Sequence, residues 1–208
     1  MRHTLITEGY GVRLRPVEME DAAFIVWLRN LDYVKGRVGD SAAEIAGQEK
    51  WLKSYFEKED DYYFIVETLN RIPLGTYGFY YVTETTVDVG RFIIRPGVLA
   101  AVPATLLLDD LLYEQMGVTY VRVTTSASNH RLHSFYRKLG FRQVKVEQAG
   151  RIIGGQAIDM LHFIQIAEDW YRAREKVIPA ARRAETWIRE WEQAYLQNQG
   201  SQGLVKDR

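Results

Sequence analysis

The stretch VDVGRFIIRPGVLAAVPATLLLDDLLYEQMGVTYVRVTTSASNHRLHSFYRKLGF, residues 87–141, decides the fold of this chain. Its first part, residues 87–94, is rich in β-branched and aromatic residues, which favour a half-buried strand. The strand is predicted to end at Arg95-Pro96-Gly97, because proline fixes φ and glycine lacks a Cβ.

An amphipathic helix and a second strand follow. From Val102 the apolar residues recur at three- and four-residue spacing, with Pro103 in the first turn and Gly117 as the stop. They are Ala104, Leu107, Leu108, Leu111 and Leu112. Residues 119–125 alternate again, so the whole stretch predicts a βαβ unit. The start of its helix is then an anion-binding position.

The same stretch resembles the acyl-CoA-binding core of the GNAT superfamily of N-acetyltransferases. Its last part fits the family pattern N-x6-Y-x-K-x-GF, with Asn129, Tyr136, Lys138, Gly140 and Phe141. The resemblance implies an α/β (α+β) fold of the GNAT type, with a mixed, mostly antiparallel seven-stranded sheet flanked by helices and here a C-terminal helical extension.

The resemblance also implies acetyl-CoA, or another acyl-CoA, as co-substrate. Family members hold its pyrophosphate on the backbone N–H groups of an Arg/Gln-x-x-Gly-x-Gly/Ala loop. Here Ala100 and Val102 stand at the two glycine positions, on either side of Ala101. The backbone donors and the helix dipole still favour an anion, although a Cβ hinders close approach of a phosphate.

Further cofactor contacts are implied by the same family pattern. Arg95 at the loop mouth and Arg131 at the start of the last core helix are candidate phosphate ligands, and each could equally be an ordinary surface arginine. Asn129 resembles a residue that hydrogen-bonds the pantetheine or adenosine part, and it also suits the N-cap of a helix over residues 131–139. No His/Asp/Glu cluster has metal-ligand spacing, so we expect no metal.

The chemistry needs an acid, a base and dipoles that polarise the thioester carbonyl. Tyr136 matches the family's acid, although a tyrosine at the edge of the core is the alternative. Relatives polarise the carbonyl through a backbone N–H at a β-bulge, which would lie near Phe92, Ile93 and Ile94. Sequence alone does not reveal a bulge.

The base has several candidates. The strand position that holds a glutamate in some relatives is Thr124, which cannot accept a proton at neutral pH. Asp88 occupies another position that carries a glutamate in relatives, and a carboxylate in an apolar strand needs a partner or a cleft. Its alternative role is a salt bridge with Arg91 or Arg122. Further candidates are His130, His133, Glu67 and Glu84.

Composition narrows the class of protein. The chain has 208 residues, 27 basic and 27 acidic side chains, and no cysteine. Nothing overall attracts nucleic acid or an anionic membrane, thiol chemistry is excluded, and no apolar run is long enough for a membrane helix. We expect a cytoplasmic protein.

The N-terminal part predicts a strand over residues 10–16, a helix over 21–30, and a hairpin of strands over 62–68 and 74–83. The segments WLRN (27–30), QEKWLKSY (48–55), YFIVE (63–67) and PLG (73–75) resemble a bacterial GNAT branch that acylates amino sugars, including nucleotide-linked ones. In that branch the segment 32–47 would form the acceptor side of the cleft. Three aromatic residues there have core-type spacing, and burial is their ordinary role. They are Trp27, Trp51 and Tyr55.

The C-terminal part predicts a strand pair, residues 142–147 and 156–166, around a turn at 149–151. The acyltransferase domain is expected to span residues 1–167, followed by a helical extension over 168–197 and a disordered tail over 198–208.

The extension carries an aromatic stripe and contains Pro179, which could break the helix. Trp187, Trp191 and Tyr195 form the stripe at four-residue spacing. Three roles for the stripe stay open: it packs on its own domain, it covers the acceptor cleft, or it forms the interface of a homodimer. The sheet edge is a second candidate surface for a homodimer.

Two classes of function follow. The first is an acetyl-CoA-dependent N-acetyltransferase that acts on a primary amine of a small molecule, such as an amino sugar or nucleotide-linked amino sugar, with a protein N-terminus as the competing acceptor. The second is a non-catalytic GNAT-fold binding or structural protein, suggested by the altered loop and by Thr124.

Overall fold

The structure, a computed structural model, describes residues 2–35 and 44–203, with side chains as far as residue 198. The strands are β1 Thr7–Gly9, β2 Val12–Pro16, β3 Asp61–Thr68, β4 Pro73–Thr83, β5 Thr86–Ile94, β6 Tyr120–Ser126, β7 Arg142–Ile153 and β8 Gln156–Ile166. The helices are α1 Ala22–Arg29, α2 Ile45–Tyr55, α3 Ala101–Asp110, α4 His130–Lys138 and α5 Ala167–Gly203. A 3-10 turn, Met19–Asp21, precedes α1, and a π-helical turn, Leu111–Gln115, continues α3.

Within the described residues, eight strands form one sheet in the order β1-β2-β3-β4-β5-β6-β8-β7. Of these neighbouring pairs, β5 and β6 run parallel and the others antiparallel. The predicted fold class is therefore confirmed. The predicted strand number is too low by one because β1 was missed. Tyr10 and Gly11, with φ of 51° and 79°, form a hairpin turn, so the strand predicted from residue 10 begins at Val12.

Helices cover both faces of the sheet. One face is packed by α1 and α2 in a cluster that includes Ile25, Leu52, Tyr63 and Ile65. The main core lies on the other face, against α3 and α5, and includes Phe64, Val66, Leu108 and Ile188. Adjacent β3 residues alternate between these two clusters, as the period of a pleated strand requires.

The turn predicted at residues 149–151 lies later in the chain. β7 runs on to Ile153, and Gly154 and Gly155, with φ of 56° and 77°, connect it to β8. Two glycines with positive φ suit a tight hairpin turn. Ala149, with φ of 50°, lies instead in an irregular part of the β7–β8 pairing.

The C-terminal helix is continuous through Pro179, which is exposed. Its buried face belongs to the main core and includes Trp170, Ala181 and Ile188. This face of α5 therefore packs on its own chain. The helix extends through Gly203, past the start of the expected tail, and residues 204–208 lie outside the described residues. None of the described helices is long and apolar enough to cross a membrane.

Candidate active site

The neighbouring parallel strands β5 and β6 part halfway along their length. Their last paired residues are Val89 and Val123, although β5 continues to Ile94 and β6 to Ser126. The β-sheet is thus open between these two strand ends. An opening of this kind leaves backbone hydrogen-bonding groups available to a ligand.

A β-bulge in β5 accompanies the opening. Between Gly90 and Ile93, β5 has one residue more than the facing part of β4, and Arg91 has a φ of 54°. Arg91 is fixed there by Asp61, whose two oxygens accept from the guanidinium at 2.6 and 2.8 Å. The bulge that the family resemblance implied near Phe92 is therefore present, and it begins at the residue before.

The bulge decides which backbone groups face the opening. Arg95 N–H donates to Leu74 of β4 at 2.7 Å, so Arg95 and Ile93 face β4. By alternation, the backbone groups of Phe92 and Ile94 face the side of β6. The Ile94 carbonyl accepts a 2.5 Å hydrogen bond from the Tyr33 hydroxyl there.

The N-terminus of α3 follows the end of β5. The first intrahelical hydrogen bond runs from Ala104 N to Ala100 O at 3.0 Å, so the N–H groups of Ala101 and Val102 precede the helical ladder. Pro103 supplies no N–H group. Ala100 is fully buried in the main core, so its methyl group does not lie on the open side of the loop. The loop therefore keeps two backbone donors at the start of a helix, an arrangement that favours an anion.

The side chain of Tyr136 on α4 is buried, and its ring packs against Phe135, Phe141 and Phe163. Burial, and next the charge of Asp109, raise the pKa of the Tyr136 hydroxyl. The hydroxyl thus keeps its proton at physiological pH. A protonated phenol can donate a hydrogen bond or a proton to a leaving group but is not a base at neutral pH.

Comparison with known proteins places this arrangement in a family. A family model described as an acetyltransferase (GNAT) domain matches residues 12–142. The chain belongs to the GNAT family of acetyltransferases. It is thus an acyl-CoA-dependent N-acetyltransferase by family, as the sequence predicted. A search of the curated proteins found no match for the chain.

Several solved structures share the GNAT fold with this chain. A GCN5-related N-acetyltransferase from Brucella melitensis is 16% identical, with a TM-score of 0.75 over 86% of each chain. Apo FdhC, a nucleotide-linked sugar GNAT, is 24% identical, with a TM-score of 0.69 over 86% of this chain and 98% of its own. Spermidine N-acetyltransferase from Vibrio cholerae, in complex with CoA and spermine, is 16% identical, with a TM-score of 0.70 over 78% and 99%.

Asp88, the residue that the GNAT resemblance suggested as base, is an ion-pair partner. Its Oδ1 lies 2.7 Å from Arg122 Nε, and its Oδ2 accepts from Arg122 Nη2 at 3.1 Å. The Tyr80 hydroxyl donates to the same Oδ2 at 3.3 Å. Of the two roles left open by the sequence, the geometry favours the salt bridge, and its partner is Arg122 because Arg91 pairs with Asp61.

Asp88 belongs to a polar surface on the α1–α2 side of the sheet. We call this surface the polar face; it comprises Tyr80, Asp88, Gly90, Arg122, Thr124 and His162. A Cβ built at Gly90 would meet no atom within 4 Å, so the space above this residue is open. We call this open space, at the place where β5 and β6 part, the Gly90 trough.

Sequence reasoning missed a hydrogen-bonded group on the polar face. The imidazole of His162 contacts Thr124 Oγ1 through Nδ1 at 3.1 Å and Glu147 Oε2 through Nε2 at 2.8 Å. The hydrogen bond from His162, and next the charge of Lys145, lower the pKa of Glu147. A lone histidine in the apolar run of β8 was the available signal. Its partners depend on register shifts in the β7–β8 pairing, which the sequence does not reveal.

Arg95 was predicted to contact phosphate, but its guanidinium lies among aromatic rings. The rings of Trp27, Trp191 and Tyr195 lie 5.3, 4.8 and 5.0 Å from its central carbon. These contacts, and a hydrogen bond to the Pro73 carbonyl at 3.2 Å, favour a structural role for Arg95, and its contact with phosphate stays a prediction. The aromatic residues of the N-terminal part were expected to be buried, but Trp27 is 43% exposed.

The other predicted residues differ in how well they fit a cofactor. Asn129 caps α4, as predicted, by accepting from Leu132 N at 3.3 Å. Arg131 is exposed in the first turn of α4 and remains a candidate phosphate ligand. Of the two other aromatic residues, Tyr55 is buried, and Trp51 lies at the surface, 36% exposed.

The further base candidates have other roles or positions. Glu67 is buried and pairs with Arg13 and Arg15. His133 is buried, bonds the Ser126 carbonyl at 2.9 Å, and has its pKa lowered by burial. The remaining two, His130 and Glu84, are exposed.

Within the described residues, no group of three or more His, Asp or Glu side chains could hold a metal ion.

Proposed function

We propose that this GNAT protein transfers an acetyl group from acetyl-CoA to a primary amine of a small molecule, and that the amine belongs to an amino sugar or a nucleotide-linked amino sugar. The observation that carries the proposal is the open edge of β5 at Phe92 and at the N–H group of Ile94, next to the N–H groups at the start of α3. Together they offer an extended ligand both hydrogen bonds and an anion site.

In this proposal each group of the site has one task. The N–H groups of Ala101 and Val102, with the α3 dipole, bind the pyrophosphate, and Arg131 adds positive charge. The β5 edge at Phe92 and Ile94 orients the pantetheine arm and directs a backbone N–H at the carbonyl oxygen. Tyr136 donates its proton to the departing sulfur. Acetyl-CoA itself supplies the activated acyl thioester.

The charge distribution of the polar face favours an amino sugar over a polyamine. The carboxylates near the trough are already paired, Asp61 with Arg91 and Asp88 with Arg122. A polyamine would have to compete with these guanidinium groups for the same oxygens. An amino sugar carries one ammonium group and several hydroxyls, which a mixed set of donors and acceptors can satisfy.

Exposed aromatic rings support the same choice. Tyr80 on the polar face is 43% exposed, and the nearby Trp51, whose ring lies 5.6 Å from the Arg91 guanidinium carbon, is 36% exposed. Flat apolar rings beside polar groups suit the faces of a sugar or a base. The FdhC structure, described as a nucleotide-linked sugar GNAT, provides a precedent for this acceptor on the fold.

The test begins with calorimetric titration of the purified protein with acetyl-CoA and with free CoA. Micromolar binding is expected, followed by thiol release in the presence of D-glucosamine, UDP-glucosamine or an available nucleotide-linked 4-amino sugar, and less with spermidine or an N-terminal peptide. The Tyr136→Phe variant is expected to bind acetyl-CoA normally and to release thiol about 100-fold more slowly. Absence of binding in a folded sample would contradict the proposal and favour a non-catalytic role.

A further inference from the structure

We propose that His162 is the proton acceptor for the attacking amine, that Thr124 relays the proton, and that Glu147 positions the imidazole. The inference rests on the proposed function, because it assigns the missing base of that reaction. Thr124 stands where some GNAT proteins have a glutamate on the strand, and the structure couples its hydroxyl to a histidine instead.

The hydrogen bonds fix the direction of the relay. The Glu147 carboxylate accepts from His162 Nε2 at 2.8 Å, which keeps the ring proton on Nε2. Nδ1 is then an acceptor for the Thr124 hydroxyl, at 3.1 Å. Since the hydroxyl donates to Nδ1, the lone pairs of Thr124 Oγ1 can accept a proton from a ligand.

The relay is located where an acceptor would arrive. Thr124 is the first residue of β6 after the last pair with β5, and it is exposed on the polar face beside the Gly90 trough. The side chain of His162 is 25% exposed, so solvent can take the proton away afterwards. A base needs both access to substrate and a route to bulk water.

The surrounding charges are compatible with a proton acceptor. Glu147 and Lys145 face His162 from β7, and their side chains lie 3.5 Å apart. From β6 the nearest charge on the same face is Arg122, whose guanidinium pairs with Asp88 at 2.7 Å. Asp88 is a weaker candidate than His162 because proton uptake there would break this ion pair.

The protons balance as follows. The ammonium of the acceptor gives one proton to Thr124 Oγ1 while the hydroxyl proton moves to His162 Nδ1, and the resulting imidazolium releases it to water. The C–N bond then forms as the C–S bond breaks. The nitrogen releases a second proton to solvent, and the sulfur gains one from Tyr136. Solvent returns a proton to the buried Tyr136 hydroxyl after the products have left. The products are the amide, the thiol and one free proton.

The first experiment needs no acceptor. Nitrogen-15 spectra of the histidine rings, with His162→Gln used to assign the signals, are expected to show the neutral Nε2–H tautomer for His162. Glu147→Gln is expected to mix the two tautomers. A proton found on Nδ1 in the wild type would overturn the inference, because that nitrogen could not then accept one.

The second experiment measures kcat/KM against pH, with D-glucosamine or the best amine of the panel. His162→Gln is expected to lower kcat/KM about 100-fold near neutrality and to move the acidic limb of the profile up to the pH at which the amine itself loses its proton. The deficit shrinks at high pH, where the free amine needs no base. Thr124→Val is expected to resemble His162→Gln, and Thr124→Ser to resemble the wild type.

Three controls separate the roles. Asp88→Asn is expected to retain the acidic limb of the wild type. The inference would be overturned if Asp88→Asn lost this limb while His162→Gln retained it. Glu147→Gln is expected to shift the limb while KM for acetyl-CoA stays unchanged. Glu168→Gln removes an exposed carboxylate from the pair with Arg172 on α5 and should leave the profile unchanged. If the wild type fails to bind acetyl-CoA by calorimetry, the proposed function fails. If it binds and the acidic limb of His162→Gln lies at the same pH as in the wild type, only the inference fails.

Discussion

The guanidinium carbon of Arg95, at the end of β5, lies 4.8 Å from the ring centroid of Trp191 on α5. The same group lies 5.3 Å from the ring of Trp27 on α1. Because α1 and α5 pack on opposite faces of the sheet, one side chain connects the two layers at the strand end beside the cofactor loop. This explains why part of the aromatic stripe on α5 turns toward the acyltransferase core.

The first prediction concerns this contact. Arg95→Gln is expected to lower the free energy of unfolding by about 1–2 kcal/mol, since a cation–π contact is lost, and to leave acetyl-CoA affinity within about twofold. Urea unfolding and calorimetry measure the two quantities. Arg131→Gln is the matched control: it removes an exposed arginine, so stability stays the same and the affinity falls. A loss of affinity in Arg95→Gln without a loss of stability would restore its role as a phosphate ligand.

The second prediction uses the Gly90 trough. Gly90→Val puts a Cβ where no atom lies within 4 Å and a β-branched residue into a strand, so stability is expected to be unchanged or slightly higher. Turnover of the amine is expected to fall at least tenfold because the added methyl groups occupy the trough. Acetyl-CoA affinity, measured by calorimetry, is expected to stay the same. Unchanged turnover would mean that the acceptor binds elsewhere.

Gly78 is the control for that substitution because it pairs with Gly90 across β4 and β5. A Cβ at Gly78 would lie 2.8 Å from the Tyr62 carbonyl oxygen and 3.1 Å from Arg91 Nη1. Gly78→Ala is therefore expected to lower the free energy of unfolding by about 1–3 kcal/mol. Comparison of Gly90→Val with Gly78→Ala thus distinguishes a loss of space for the substrate from a loss of stability.

The third prediction tests the cofactor loop. Ala101→Asp puts a carboxylate at the first residue of α3, where the helix dipole favours it, so the fold is maintained or slightly stabilised. The same charge repels a pyrophosphate, and acetyl-CoA affinity is expected to fall at least tenfold by calorimetry, about 1.4 kcal/mol. Ala194→Asp, on the exposed side of α5, adds the same charge elsewhere and should leave the affinity unchanged.

Local patterns were enough to predict much of the fold. The alternation in β5 and β6, the apolar spacing of α3 and the Asn129 cap of α4 depend on residues at most a few positions apart. Their geometry is set by the helix and strand periods, so the sequence carries it directly. The order of these elements then leaves few topologies.

The site could be predicted only in part because its partners are distant in sequence. Arg91 is fixed by Asp61, 30 residues earlier, across the bulge. His162 lies on β8, between β6, which carries Thr124, and β7, which carries Glu147. The pairing of β8 with β7 contains register shifts, whereas its pairing with β6 is regular. A shift of one residue would move a side chain to the opposite face, so no local pattern assigns these contacts.

The fourth prediction concerns Asp109, which is 1% exposed on α3 and whose two carboxylate oxygens have no hydrogen-bond partner among the described residues. The amide of the nearby Gln165 donates to the Leu139 carbonyl at 2.6 Å. Burial, and next the charge of Asp110, raise the pKa of Asp109 well above its ordinary value. Between the ordinary and the raised pKa, the folded protein therefore holds a proton there that the unfolded chain has lost.

The sign of the pH dependence follows from linkage. Between the ordinary aspartate pKa and the raised one, the folded state binds more protons than the unfolded state, so stability falls as the pH rises. Asp109→Asn removes this dependence and is expected to raise the free energy of unfolding at pH 7 by about 1–3 kcal/mol, since a neutral amide replaces an acid that must stay protonated. Urea unfolding at pH 5 and pH 8 measures the free energy of unfolding. Asp110→Asn is the control: Asp110 accepts from Arg174 at 2.7 Å, so the loss of its carboxylate should destabilise the fold. Equal wild-type and Asp109→Asn slopes against pH would show that Asp109 is ionised in the folded protein.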